Sequence, residues 1–85
     1  MSASDLVVAR SVDKHFLKFP RHIQKRVISA YDRIKANPLV GIKLEGQLSD
    51  YYKLRVGDYR IIYYFEPKKN LIVVVKLEHR QGVYK

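Results

Sequence analysis

The run Tyr51-Tyr52-Lys53-Leu54-Arg55-Val56-Gly57-Asp58-Tyr59-Arg60-Ile61-Ile62-Tyr63-Tyr64 constrains this chain more than any other stretch. Two alternating segments flank a Gly-Asp pair, the signature of a two-residue β-hairpin turn with Gly57 at the first central position. Such a turn dictates the register. Val56 faces Tyr59, Arg55 faces Arg60, Leu54 faces Ile61 and Lys53 faces Ile62. Side chains alternate between the faces of a strand. One face therefore carries Tyr52, Leu54, Val56, Tyr59, Ile61 and Tyr63, which can join a core. The other carries Tyr51, Lys53, Arg55, Arg60, Ile62 and Tyr64. Like charges directly opposite each other weaken a sheet. Arg55 opposite Arg60, with Lys53 beside them, therefore reads as a site that receives an anion.

The remaining segments tell what packs on the apolar face. Leu6-Val7-Val8-Ala9 is a short candidate strand. Ser11 is a plausible N-cap for a helical turn in which Val12, Phe16 and Phe19 recur at helical spacing. Pro20 suits a first helical position. From Arg21 to Ala36, Ile23, Val27, Ala30, Tyr31 and Ile34 form one apolar stripe, and Lys25, Arg26, Ser29, Arg33 and Lys35 form a solvated face. Pro38 disfavours helical backbone at Asn37 and ends the helix. Leu39 to Asp50 is read as a connecting segment. Glu66-Pro67-Lys68-Lys69-Asn70 is a turn, and Leu71-Ile72-Val73-Val74-Val75-Lys76-Leu77 is a β-branched run that suggests a central strand covered on both faces. The expected fold is α+β: strand, helix, helix, then three strands. One small, mostly antiparallel sheet of about four strands carries both helices on one face. The 85 residues form a single domain, with no repeat and no linker. In the last strand Lys76, Glu78 and Arg80 share a parity, which places Arg80 beside Arg55 and Arg60 on the open face. His79 has the opposite parity.

Charge narrows the class of partner. Lys and Arg number 17 against 8 Asp and Glu, a net charge of +9. The surplus is not a tail: residues 1–42 hold 8 basic and 3 acidic side chains, and residues 43–85 hold 9 and 5. A folded body this positive attracts nucleic acid, an acidic protein or an anionic membrane. The chain has no cysteine and three scattered histidines without ligand spacing, so neither a disulfide nor a metal site is expected. No apolar run approaches the roughly 20 residues that span a bilayer. The N-terminal Met1-Ser2-Ala3-Ser4-Asp5 lacks the pattern of a signal peptide, so a cytoplasmic location is expected.

Clustered arginines offer planar forks of donors that match phosphate oxygens and stabilise charge developing at phosphorus. Tyr51, Tyr64 and Tyr84 are candidates to stack on unpaired bases. Such a face can cleave RNA without a metal, the 2′-OH attacking the neighbouring phosphorus while the protein supplies orientation, charge and proton transfer. Simpler roles exist for each residue. Arg60 can form a salt bridge with Asp50, Glu66 or Glu78. His79 can be structural rather than an acid or base, and Lys53 and Arg55 can be ordinary surface charges.

Leu44-Glu45-Gly46, the hairpin from Tyr52 to Tyr63, and His79-Arg80-Gln81-Gly82-Val83-Tyr84 together resemble the RelE/ParE superfamily of bacterial and archaeal toxins, over nearly the whole chain. The resemblance implies the toxin of a type II toxin–antitoxin system, a small sheet with two N-terminal helices on one side, and a metal-independent, ribosome-dependent endonuclease that cuts messenger RNA and needs no cofactor. It implies a cognate antitoxin, acidic in character, that wraps the toxin. By position, Lys53, Arg60, Arg80 and Tyr84 take the catalytic places: Arg60 and Arg80 on the scissile phosphate, Lys53 on phosphate or in proton transfer, Tyr84 orienting the nucleotide. Tyr51, Arg55, Lys76 and His79 are the accompanying RNA-binding residues. The best-studied type has an additional lysine before the place of Lys53, where this chain has Tyr51, and Arg80 stands where some relatives have a C-terminal histidine. Two alternatives share the scaffold or the charge: a ParE-like toxin that blocks DNA gyrase, and a basic RNA-binding module without catalysis.

Overall fold

A computed structural model describes residues 5–44, 46 and 50–79. Strand β1 (Asp5–Val8) leads into helix α1 (Arg10–Phe16) and helix α2 (Arg21–Ala36). Strand β2 (Ile42–Lys43) precedes β3 (Tyr51–Val56) and β4 (Tyr59–Glu66), and a 3-10 turn at Pro67–Lys69 leads to β5 (Leu71–His79). The sheet order is β1-β5-β4-β3-β2. β1 runs parallel to β5, and the other neighbours are antiparallel.

The hairpin register follows the turn as expected, with Val56 opposite Tyr59, Arg55 opposite Arg60 and Tyr51 opposite Tyr64. Gly57 has φ +59°. A Gly at the first central position supplies the positive φ that hairpin turns matching strand twist require. The apolar face closes against the helices. Leu54, Val56, Ile61 and Tyr63 are buried with Val12, Val27, Ala30, Ile34, Ile72, Val74 and Leu77. Ile23, Tyr31 and Tyr52 pack at the margin of this core.

Four details differ from the sequence reading. The sheet has five strands, because Ile42–Lys43 pairs with Lys53 and Tyr52 in what reads as a connecting segment. β5 lies between β1 and β4, but only one of its faces is sealed. Ile72, Val74 and Leu77 are buried, whereas Leu71, Val73 and Val75 are only half-buried on the face away from the helices. α1 starts at Arg10 after Ala9, with Ser11 inside the helix and no side-chain cap. Pro20 is the N-cap of α2 rather than its first residue. Its carbonyl accepts from the N–H groups of Ile23 and Gln24, at 3.0 Å each, so the fixed φ of proline serves one position earlier.

β2 is held beside β3 by one buried phenol. Tyr63 is fully buried. Its Oη donates to the Pro38 carbonyl at 2.8 Å and accepts from the Gly41 N–H at 3.0 Å. Gly41 has no room for a side chain: a Cβ there would lie 2.7 Å from the Lys53 carbonyl oxygen and 2.8 Å from Tyr63 Oη. The strand carrying Lys53 and the segment leading to Ile42 thus meet over this glycine. Tyr63→Phe keeps the ring and strands the Pro38 carbonyl, a loss of roughly 1–3 kcal/mol. Urea unfolding measures it, and an unchanged midpoint would show the phenol to be dispensable.

A second buried phenol makes a different prediction. Tyr31 Oη is buried without a partner among the described residues. Burial, and secondarily the Asp13 carboxylate, push its pKa from 10.0 to about 12. The fold favours the neutral phenol, so this contribution to stability is intact below pH 10 and is lost as pH rises from 10 through about 12. Tyr31→Phe removes an unsatisfied hydroxyl, leaves stability at pH 7 unchanged or higher, and flattens the alkaline decline. Unfolding midpoints of the two proteins between pH 7 and 12 check this, and an equally steep decline in the variant would contradict it.

Candidate phosphate-binding face

The open face of the sheet gathers its cations through two local devices. The first is the Gly57-Asp58 turn, which sets Arg55 opposite Arg60. The second is a β-bulge. Ile62 pairs with Lys76 and Tyr63 with Val74, which leaves Val75 as an extra residue. Ile72 and Val74 point into the core, and strict alternation would bring Lys76 and Glu78 in after them. The bulge reverses the parity. Leu77 enters the core, while Lys76 and Glu78 emerge on the open face, with Glu78 directly opposite Arg60.

Lys53, Arg55 and Arg60 line a cleft of about 250 Å³ with Ile42, Gly57, Asp58 and Tyr59. Arg60 is its best-organised cation. Its side chain is 29% exposed, and Nη2 lies 3.2 Å from Glu78 Oε1. Its Nε is buried with no partner among the described residues. A guanidinium that spends one corner on a carboxylate and leaves another donor unpaired beside a cleft is an incomplete fork, suited to accept an oxyanion. The second oxygen of Glu78 sits 3.1 Å from Lys76 Nζ, so this single carboxylate is shared by two cations. Lys76 is 64% exposed and its pairing is screened by water. Arg55 is exposed and donates from Nε to the Gly57 carbonyl at 3.2 Å.

The residues singled out from sequence fall into three groups. Lys53, Arg55, Arg60 and Lys76 share the open face. Tyr51 is on that face too but sits away from the cleft, edge-on to Tyr64 with ring centroids 5.5 Å apart. His79 lies on the helix side, opposite Tyr59 in the ladder, with ring centroids 4.5 Å apart. Tyr59 in turn packs on Phe19 at 4.5 Å, and Phe19 on His15 at 4.9 Å. Arg80 and Tyr84 lie outside the described residues. Glu78 entered the sequence reading as sharing the parity of Lys76 and Arg80 and as one of three possible partners for Arg60. Its shared hold on Arg60 and Lys76 was readable from its parity with Lys76. Ile42 was not readable as part of the cleft, because it arrives through the Tyr63 contacts.

Among the described residues no group of three or more His, Asp or Glu side chains could hold a metal. Among the described residues no helix is long and apolar enough to cross a membrane.

The chain is similar to known proteins along almost its whole length. The family model described as the ParE toxin of type II toxin–antitoxin systems matches residues 6–84. Toxin RelG of Mycobacterium tuberculosis is 29% identical over 70 residues, which are 80% of each chain. The RelE–RelB complex of the archaeon Pyrococcus horikoshii contains a chain 30% identical, with a TM-score of 0.81 over 94% of this chain and 97% of that one. The toxin–antitoxin complex RelBE2 of Mycobacterium tuberculosis has a TM-score of 0.84 at 24% identity over 94% of both chains. The isolated RelE toxin of E. coli has a TM-score of 0.80 at 22% identity over 96% of this chain and 92% of that one; these last two show the fold. An α+β sheet with two helices on one face, cations gathered on the other and a match over residues 6–84 place the chain in the RelE/ParE superfamily, among the toxins of type II toxin–antitoxin systems.

Proposed function

We propose that this toxin is a metal-independent, ribosome-dependent mRNA endonuclease that arrests translation in the cytoplasm. The observation that carries the reading is Arg60: a half-buried guanidinium in the lining of a cleft, facing Arg55 across the hairpin, whose ion pair among the described residues is with a Glu78 shared with Lys76. In the reaction, the RNA 2′-OH attacks the adjacent phosphorus and the bond from phosphorus to the 5′-oxygen breaks. The 2′-proton goes to a base and the departing oxygen takes up a proton, leaving a 2′,3′-cyclic phosphate and a 5′-hydroxyl. Arg60 and Arg80 hold the phosphoryl oxygens as charge accumulates on them. Lys53 contacts phosphate or moves a proton, and Tyr84 orients the nucleotide. Arg55 and Lys76 steer the strand by charge, and Tyr51, farther along the same face, is an accessory contact; His79 faces the helix side and lies outside this cleft. DNA lacks the attacking hydroxyl and is not cut. A cognate acidic antitoxin covers the cations and neutralises the toxin, as the toxin–antitoxin complexes of the relatives suggest.

The test is induced expression without antitoxin, with RNA ends mapped. New 5′-hydroxyl ends within translated codons, produced by purified protein pretreated with chelator and added to programmed ribosomes, support the reading; growth arrest with intact messages overturns it. The family description favours a second reading, since it names ParE toxins: binding and inhibition of DNA gyrase. A supercoiling assay with purified protein separates the two.

A further inference from the structure

The exposed face of α2 that carries Arg26, Ser29 and Arg33 borders the tip of the β3–β4 hairpin. Arg26, Arg33 and Arg55 line a cleft of about 250 Å³ together with Ser29 and Gly57. Two of the three guanidiniums converge on one glycine. Arg55 Nε donates to the Gly57 carbonyl at 3.2 Å. Arg26 lies over the other side of that residue, where a Cβ on Gly57 would stand 3.0 Å from its Nη1 and 3.4 Å from its Cζ and Nη2. The Arg26 guanidinium thus lies close over Gly57 at the hairpin tip. None of these arginines forms an ion pair among the described residues, where the cation–carboxylate contacts are those of Arg60 and Lys76 with Glu78. Three positive groups brought together with no ion pair among the described residues, and with Asp58 at the hairpin tip as the adjacent acid, raise the local potential and favour a polyanion. Their planar donor forks and the Ser29 hydroxyl suit phosphate oxygens.

This cleft and the one holding Lys53 and Arg60 share Arg55 and Gly57. From that continuity we infer a second phosphate subsite, Arg26–Arg33–Arg55, that takes the backbone of single-stranded RNA as it runs past the hairpin tip from the first cleft. The inference rests on the RNA reading of the first cleft. The apolar part of the lining is Ala30 and Val56, with no aromatic ring. The subsite therefore grips the backbone and reads no base, as phosphate contacts generally do.

Binding of 2′-O-methylated oligonucleotides tests it, because these cannot be cut and binding is then measured apart from cleavage. Fluorescence anisotropy compares a dodecamer with a trimer, in uridine and adenosine versions, across a salt series. In the double variant R26Q/R33Q, in which glutamine preserves helix propensity and circular dichroism confirms the helix, the dodecamer loses about tenfold in affinity in both versions. The slope of log affinity against log salt becomes shallower by about 1.4 for two lost phosphate contacts. The advantage of the dodecamer over the trimer shrinks. An unchanged dodecamer affinity and slope overturn the subsite, as does a loss confined to polyglutamate, which would assign the cleft to an acidic polypeptide. If the unaltered protein binds with the expected slopes but cuts no RNA, the nuclease reading fails and the subsite stands.

Discussion

Replacing Arg60 by Ala lowers RNA cleavage by about 10²–10³-fold and leaves the chain folded. The magnitude is that of removing one organised donor from a site where negative charge develops. Three features suit Arg60 to that proposed role. It lies in β4, the middle strand of the sheet, so its backbone is fixed by neighbours on both sides. Its Nη2 is oriented by Glu78 at 3.2 Å, and its Nε has no partner among the described residues. A side chain so held needs little reordering to meet a phosphate. The fold tolerates the change because Arg60 is outside the buried core, and Ile61 beside it keeps its place there. Part of the loss will come from Glu78, which keeps its charge near the phosphate after Arg60 is gone. The double variant R60A/E78Q should therefore recover some of the rate, a non-additivity expected of directly paired groups. Arg60→Lys retains charge without the fork and should fall between the two. Cleavage rates on programmed ribosomes, with thermal unfolding as the control, measure all three. A rate for R60A within a factor of two or so of the unaltered protein would remove Arg60 from the chemistry.

Much of this site was legible because turn chemistry is local. Gly57-Asp58 fixes a register over six residue pairs, from Val56–Tyr59 to Tyr51–Tyr64, and the register fixes which side chains share a face. The α2 stripe was legible for the same reason, as helical spacing from Ile23 to Ile34 needs no tertiary information. The short strand at Ile42–Lys43 was hidden. Two residues carry no period, and what holds them is the Tyr63 phenol more than twenty positions away. The bulge at Val75 was hidden as well, because a run of valines looks alike in either parity. It preserved the expected orientation of Lys76 and Glu78 by an irregularity the sequence does not announce. The solvated face of α2 was read correctly, since Lys25, Arg26, Ser29, Arg33 and Lys35 are all exposed; what the sequence could not show is that Arg26 and Arg33 border the hairpin tip. The open half of β5 was misread, since a continuous apolar run suggested cover on both faces, and the fold supplies helices on only one.

The converse prediction concerns Glu78, the carboxylate that occupies Arg60 and Lys76 at once. Its two oxygens hold the same cations that a phosphate would seek, so an RNA bound there displaces it or sits beside a like charge. At an effective dielectric of about 20, a unit charge some 5 Å from a phosphate opposes it by roughly 3 kcal/mol, and partial exposure reduces that further. Glu78 is 21% exposed, so screening is incomplete. Glu78→Gln keeps the shape, removes the charge and should tighten binding of an uncleavable RNA by about tenfold. Its salt dependence should steepen by about 0.7, as one more phosphate contact is made. The rate of the chemical step need not rise with affinity. Glu78 also orients Arg60, and a glutamine holds the guanidinium less firmly, so single-turnover cleavage at saturating RNA should stay level or fall slightly. A fall in affinity would show instead that orientation of Arg60 outweighs repulsion, and that Glu78 supports the anion site rather than competing for it. The same variant bears on the antitoxin, because an acidic antitoxin covering this face, as proposed, would meet the same carboxylate. Its complex with E78Q should dissociate more slowly, and more so at low salt, if it covers Arg60 and Lys76.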